Sequence, residues 1–272
     1  MHKAAVIGSP LSHSLSPFLF QEFSKATGRS IEYRAQEISA DDLASAYTEA
    51  QAAGIVGWNV TLPHKVRILD FVGARDESVD AVGAANVVRF RDNRAFNTDA
   101  MGFLAPLERE GFSPFGHRAL IFGAGGAARA VGAALKGARA ADILFVNRTG
   151  EKARDLAHRF GGRALTPDDA QLPEELAQAD LVINATSLGL GGEGTPLPHG
   201  LAPRKGAWAY DLVYNPAETP FLAAAEREGA QTFGGMPMLV AQGAAAWRLW
   251  FDETLPPAAL KDAEAALARR LK

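Results

Sequence analysis

Cysteine is missing from all 272 residues, which excludes disulfides, thiolate metal sites and a cysteine nucleophile together. The six histidines (His2, His13, His64, His117, His158 and His199) are scattered, and none forms the His-Glu-x-x-His spacing that sets two imidazoles on one helix face. No bound metal is expected. No stretch of about 18 apolar residues occurs, so no membrane span is expected either. Basic runs are lacking, and 28 Lys+Arg against 31 Asp+Glu leave a net charge of -3, no electrostatic footprint for nucleic acid. The opening residues 1–8 hold no cationic segment followed by a long apolar one, and a cytoplasmic location is the expectation.

What remains is an ordinary globular composition, 47% hydrophobic and 22% charged. The chain is longer than a typical single core of roughly 100 to 200 residues, which predicts two lobes. Strand and helix signals alternate throughout, so the fold class is α/β, with a mostly parallel sheet covered by helices on both faces. The apolar pattern predicts strands over residues 3–8, 31–37 and 56–60. A helix follows the first, with Ser16 as N-cap, Pro17 at its first position and Gly28 as its left-handed stop. A second helix is expected over 41–54, Pro63 predicts a short third, and residues 86–90 and 94–96 read as a hairpin, after which Asp99 starts a helix.

The turn-rich stretch 111–116 is expected to carry the chain into the second lobe. Strands follow over 118–123, 142–147, 181–184 and 207–211. Residues 189–198, rich in glycine and proline, read as a loop. Two helices, 238–251 and 257–271, are too apolar on one face to stand alone and are expected to return to the first lobe.

Gly123, Ala124, Gly125, Gly126, Ala127 and Ala128 fit G-x-G-x-x-G/A directly after an apolar strand and before a helix. Gly123 permits the tight turn, Gly125 allows backbone approach to a pyrophosphate, and Ala128 lets the helix lie close to the sheet. The free N–H groups of the helix start attract the phosphates. An isolated glycine turn can also bind nothing, so the next strand decides. An NAD site ends that strand in an acid, about 20 residues on, that holds the ribose hydroxyls. Here Asn147, Arg148 and Thr149 stand instead, with Lys152 one turn further. An acid repels a 2′-phosphate, whereas the planar fork of Arg148 pairs with it, and the implied cofactor is NADP.

Three polar clusters sit at strand ends in the first lobe. Ser12, Ser14 and Ser16 precede a helix; one of them can cap it, and a pair of hydroxyls there also receives a carboxylate. Asn59 to Lys65 and Asn97 to Asp99 each close a strand and open a helix. Taken singly, Lys65 reads as a surface charge and Asp99 as a helix cap. Together with Gly83 to Asn86, Asn184 to Ser187, Asp211 to Tyr214 and Gly235 to Gln242, these motifs stand in the order found in shikimate dehydrogenases, and the sequence closely resembles that family over nearly its whole length.

The resemblance implies an α/β substrate-binding lobe, residues 1–103 plus 238–272, and a Rossmann-type doubly wound nucleotide-binding lobe, residues 104–237. It assigns Ser14, Ser16 and Thr61 to the substrate carboxylate and ring environment, with Tyr214 nearby. Lys65, Asn86, Asp99 and Gln242 surround the ring oxygens. Gly123 to Ala127, Asn147 to Lys152, Thr186, Leu212 and Gly235 line the cofactor. The implied reaction reduces 3-dehydroshikimate to shikimate with NADPH, Lys65 and Asp99 acting as a coupled dyad on the proton. A small-molecule substrate is the expected partner, and the expected assembly is a monomer or homodimer. An NAD-preferring quinate/shikimate dehydrogenase and a nucleotide sensor without turnover are the rival readings. Arg148 with Lys152 argues against the first, and the retained Lys65 and Asp99 against the second.

Overall fold

Two successive runs of strand and helix build two units, Met1–Gly102 with Leu239–Arg270 and Phe103–Met238. The structure is a computed structural model that describes residues 1–12 and 14–271. His13, one of the scattered histidines, and Lys272, the last residue of the first-lobe assignment, lie outside the described residues.

In the first unit the chain runs β1 (His2–Gly8), α1 (Ser16–Thr27), β2 (Ile31–Glu37), α2 (Leu43–Ala52), β3 (Gly57–Val60), β4 (Ala74–Arg75), α3 (Glu77–Val82), β5 (Val87–Arg89), β6 (Arg94–Phe96) and α4 (Asp99–Arg109). The six strands lie in the order β2-β1-β3-β5-β6-β4. β1 pairs in parallel with both β2 and β3, and β4 with β6, whereas β5 runs antiparallel to both of its neighbours, so this sheet is mixed with most of its pairs parallel. Alternation sorts its faces. Ala5, Ile7, Trp58, Val60, Val88 and Ala95 pack with Leu43, Tyr47 and Ile68 into one core. On α1, Leu19, Phe20 and Phe23 are fully buried, each contributing about 1.5–3 kcal/mol, and Phe20 stacks on Tyr33 with centroids 4.2 Å apart.

The second unit continues with β7 (Arg118–Phe122), α5 (Gly126–Gly137), β8 (Asp142–Val146), α6 (Gly150–Phe160), β9 (Arg163–Leu165), α7 (Leu172–Gln178), β10 (Leu181–Asn184), β11 (Trp208–Asp211), α8 (Pro220–Arg227) and β12 (Gln231–Phe233). All its strands are parallel, in the order β12-β11-β10-β7-β8-β9. Counted within the unit, that is the doubly wound 3-2-1-4-5-6 arrangement, which reverses direction at β7. Ala128 is fully buried under α5 as expected, and a side chain at Gly132 would collide with Phe145 and Phe160, so this helix lies close on the sheet. The last helices are α9 (Met236–Phe251) and α10 (Pro257–Arg270). Trp250 of α9 donates from Nε1 to the Val88 carbonyl at 3.1 Å, over Gly57, where no Cβ fits beneath the indole.

Four expectations need correction. Ser16 is not the cap of α1: Leu15 holds that position with helical dihedrals and no side-chain cap, because the turn from Leu11 to Ser14 already curls the chain. Pro63 opens no α-helix. It follows a cis peptide in a turn whose groups are bonded outward, Leu62 O to Ser9 N and Lys65 O to Ala85 N, and only a 3-10 helix, Arg67–Asp70, comes after. Residues 111–116 belong wholly to the second unit, since the division falls inside α4, between Gly102 and Phe103. Finally, β4, β9 and β12 go unpredicted because each has only two or three residues.

Candidate active site

At the C-terminal ends of β1 and β3 the backbone crowds together. A Cβ at Gly8 would stand 2.5 Å from Thr61 Cγ2 and 2.7 Å from the Leu62 carbonyl, so glycine alone admits this approach. Thr61 N donates to Ile7 O and Ser9 N to Leu62 O, both at 2.9 Å, which locks the turn carrying Thr61 and Lys65 against the segment that leads to Ser14 and Ser16. His64, buried in that turn, donates from Nε2 to Ile38 O at 2.7 Å.

Lys65 Nζ lies 2.6 Å from Asp99 Oδ2, with side chains 15% and 9% exposed. The other carboxylate oxygen, Oδ1, accepts from Asn86 Nδ2 at 2.8 Å. Asn86 is itself held twice: its Oδ1 accepts from Thr98 N at 2.7 Å, and its amide reaches Gln242 Oε1 at 3.4 Å. Thr98 Oγ1 donates to the Gln242 carbonyl at 3.1 Å. Gly102 permits α4 to meet α9 at this point, because a Cβ there would stand 2.8 Å from Gln242 Cβ. Lys65, Asn86, Asp99 and Gln242, distant in sequence, thus form one hydrogen-bonded cluster in the first unit.

A neighbouring group centres on Tyr33, which sequence reasoning missed. Its hydroxyl donates to Asn59 Oδ1 at 2.8 Å and therefore accepts from the Ser16 side chain. Burial pushes the phenol well above its ordinary pKa, against a smaller pull from the Ser16 bond. Ser16 and Asn59 are buried, and Asn59 Nδ2 has no partner among the described residues. Ser14 Oγ accepts from Ser16 N at 3.4 Å. Tyr214 belongs to the second unit, on the loop after β11, with a cis Asn215-Pro216 peptide next to it.

In the second unit the glycine turn has the geometry a nucleotide requires. Gly123 has φ +115°, and a Cβ on it would stand 2.8 Å from the Ala185 carbonyl. Gly125, the N-cap of α5, faces open space where its side chain would be. Beyond it the amides of Gly126, Ala127 and Ala128 have no helical carbonyl to bond, and Ala124 and Ala127 are half-buried beside them. Thr186 hydrogen-bonds Asn184 Oδ1 through Oγ1 at 2.6 Å. Asn184 in turn donates to Asp211 at 2.9 Å, and Asp211 accepts from Val213 N and Thr219 Oγ1, which fixes the loop carrying Leu212. Burial raises the Asp211 pKa, with the Thr219, Val213 and Asn184 bonds opposing. Gly235 passes so close to the Leu212 carbonyl that a Cβ would overlap it.

At the end of β8, Asn147 N is bonded to Leu165 O at 3.2 Å and its side chain to Thr149 O at 3.0 Å. Arg148, Thr149 and Lys152 are exposed around the start of α6. Arg148 has no side-chain partner among the described residues. Arg154, also exposed and not anticipated, lays its Nη1 3.1 Å from where a Cβ on Gly150 would be. This cradle fits a dinucleotide: backbone room and free amides for a pyrophosphate, and exposed cations with no competing acid at the strand end for a 2′-phosphate.

A doubly wound nucleotide unit and a buried Lys–Asp–Asn cluster in one chain define a dinucleotide-dependent oxidoreductase. Residues 6–88 match the family described as shikimate dehydrogenase substrate binding domain, and residues 108–189 that described as shikimate / quinate 5-dehydrogenase. A shikimate dehydrogenase (NADP(+)) from Moorella thermoacetica is 43% identical over 266 residues, 94% of this chain and 90% of that protein. The solved shikimate 5-dehydrogenase of Thermus thermophilus, in complex with NADP(H) and shikimate, superposes with a TM-score of 0.89 at 37% identity over 100% of both chains. A 5-ketofructose reductase from a Gluconobacter species superposes with a TM-score of 0.85 at 32% identity over 98% of each. The chain belongs to the shikimate dehydrogenase family.

Proposed function

We propose that this protein is an NADP-dependent shikimate dehydrogenase, reducing 3-dehydroshikimate to shikimate on the route to chorismate and the aromatic amino acids. The observation that carries the reading is the Lys65–Asp99 contact of 2.6 Å, in which Asn86 occupies the second carboxylate oxygen. Such an aspartate cannot swing away, so it presents the ammonium in one direction. When bound, NADPH supplies the hydride for the ring ketone. Lys65 Nζ donates the proton that the resulting alkoxide needs and supplies a positive field as charge develops on that oxygen.

Ser14, Ser16 and Thr61 receive the substrate carboxylate, helped by Tyr214, while Asn86, Asp99 and Gln242 hold ring hydroxyls. Gly123 to Ala127 accept the pyrophosphate. Asn147, Arg148, Thr149 and Lys152 take the 2′-phosphate and adenine ribose, with Thr186, Leu212 and Gly235 lining the remainder. This is a small-molecule enzyme of the cytoplasm, without nucleic-acid or membrane partners, that works as a monomer or homodimer. No helix among the described residues is long and apolar enough to cross a membrane.

The test follows NADP reduction with shikimate, quinate and the reduced form of 5-ketofructose in parallel, each with NADP and with NAD. Shikimate with NADP should have the highest kcat/KM by a wide margin. Comparable efficiency with quinate or with the ketofructose-derived substrate would overturn the substrate assignment, and comparable efficiency with NAD the cofactor assignment.

A further inference from the structure

The turn that presents Lys65 lies open to solvent along most of its length. Leu62 and Val66 are 62% and 57% exposed, and among the described residues 61–67 His64 alone is buried. Main-chain bonds tie this turn at Thr61 N, Leu62 O and Lys65 O. His64 adds a side-chain anchor between them. Its Nε2 lies 2.7 Å from Ile38 O, and because a carbonyl only accepts, Nε2 carries the proton. Ile38 is a firm base: its own N–H is bonded to Gly8 O at 3.2 Å, and its side chain packs on the core of the first unit. Packing does not explain an imidazole here. Nδ1 is buried without a partner among the described residues, a cost that an apolar ring of similar size would not carry. What imidazole adds over phenyl is the bond from Nε2.

We propose that His64 is a positioning residue for Lys65: its bond to Ile38 O fixes the main chain from which Nζ is presented to Asp99 and to the reacting oxygen. The inference rests on the reading of Lys65 as proton donor. Nζ stands at the end of a flexible four-carbon stem, so the 2.6 Å contact with Asp99 holds the ammonium in one place only if the stem starts from a fixed Cα. The Lys65 carbonyl, bonded to Ala85 N at 2.7 Å, secures the far side of that Cα, and His64, the residue before it, secures the near side. A misplacement of about 1 Å in a reacting group can cost about a hundredfold in rate.

Steady-state kinetics of the full chain with shikimate and NADP test this. His64→Phe keeps a buried ring and drops the bond, and it should lower kcat about ten- to a hundredfold with the KM for shikimate within a few fold. A glutamine amide reaches the place of Nε2, and an asparagine amide only that of Nδ1. His64→Gln should therefore retain kcat within a few fold, whereas His64→Asn should lose it as His64→Phe does, a comparison that stands even if the phenyl ring is not accommodated. In a Lys65→Met background His64→Phe should lower kcat no further, because a residue that acts through Lys65 has nothing left to position. Unchanged kcat in His64→Phe and His64→Asn, a His64→Gln no better than His64→Asn, or a full further loss in the Lys65→Met background would each overturn the proposal. A Lys65→Met enzyme that retains kcat would instead overturn the proton-donor reading, and the positioning role with it.

Discussion

Replacing Lys65 with methionine keeps the length of the side chain and removes its charge, so it interrogates both roles of the dyad. The pair is 2.6 Å apart, with 15% and 9% of the side chains exposed. A charged hydrogen bond contributes roughly 1.5–3 kcal/mol, and stripping one partner from a buried pair costs about 3–5 kcal/mol. Some solvent still reaches both groups, so the loss in Lys65→Met should fall near the lower end, about 2–3 kcal/mol. Asp99→Asn should cost a similar amount, because Lys65 and Asn86 both donate to this carboxylate and an amide must turn its NH2 toward one of them. In the double variant neither charge is stranded, and the combined loss should be smaller than the sum by about 1.5–3 kcal/mol. Denaturant unfolding followed by tryptophan fluorescence reports mainly the first unit, which holds the dyad, since Trp58, Trp247 and Trp250 lie there and only Trp208 in the other. In steady-state assays Lys65→Met should lower kcat about a hundredfold or more while the KM for shikimate stays within a few fold. Additive stabilities would refute the coupling. A kcat that survives while KM rises would make Lys65 a binding residue and move the proton donor elsewhere, with Asp99 first in line.

Arg148→Ala should raise the KM for NADP about tenfold, the low end for a lost charged hydrogen bond because the site is exposed and screened, and leave NAD unchanged. High salt should mimic the change in the parent enzyme, and equal losses for both cofactors would mean that Arg148 acts only through adenine. Tyr33→Phe should raise the KM for shikimate about three- to tenfold at nearly constant kcat, since it frees Ser16 and Asn59 without touching the dyad; a collapse of kcat or an unchanged KM refutes the positioning role. Asp211 has a folded pKa above its unfolded value of 3.8, so its contribution is full below that value and is lost as pH rises through the folded pKa. Unfolding free energies from about pH 4 to 7 should therefore fall more steeply in the parent than in Asp211→Asn, and parallel curves would contradict the burial argument.

The nucleotide unit was readable because its central strands are continuous apolar runs buried on both faces, and its glycine turn follows one of them directly. β9 and β12 were not readable, since three residues at a sheet edge acquire strand geometry from the neighbour they pair with rather than from their own pattern. The division within α4 left no trace in the apolar pattern for a related reason, and the boundary at 103/104 comes from the resemblance alone. A helix keeps one period across the boundary, whereas the turn-rich residues 111–116 look like a crossing and only bend the chain inside one unit.

In the first unit, polar residues at strand ends are conspicuous, yet their type alone leaves them two occupations, helix cap or chemistry. The structure separates these by moving the capping contact two residues upstream. Asn97 Oδ1 accepts from Asp99 N at 3.0 Å, so Asp99, although the first residue of α4, keeps Oδ2 for Lys65 and Oδ1 for Asn86. Ser14 Oγ does the same for Ser16 N at 3.4 Å, which leaves the Ser16 hydroxyl to Tyr33. Both displacements depend on how the chain enters its helix, and the residue types at positions 14, 16, 97 and 99 do not encode that angle. Tyr33 was hidden more deeply still. A tyrosine in a strand reads as packing, and Tyr33 does stack on Phe20. Only the parallel register of β2, β1 and β3, which sets Tyr33 beside Ala4 and Asn59 beside Val6, brings its hydroxyl within reach of Asn59.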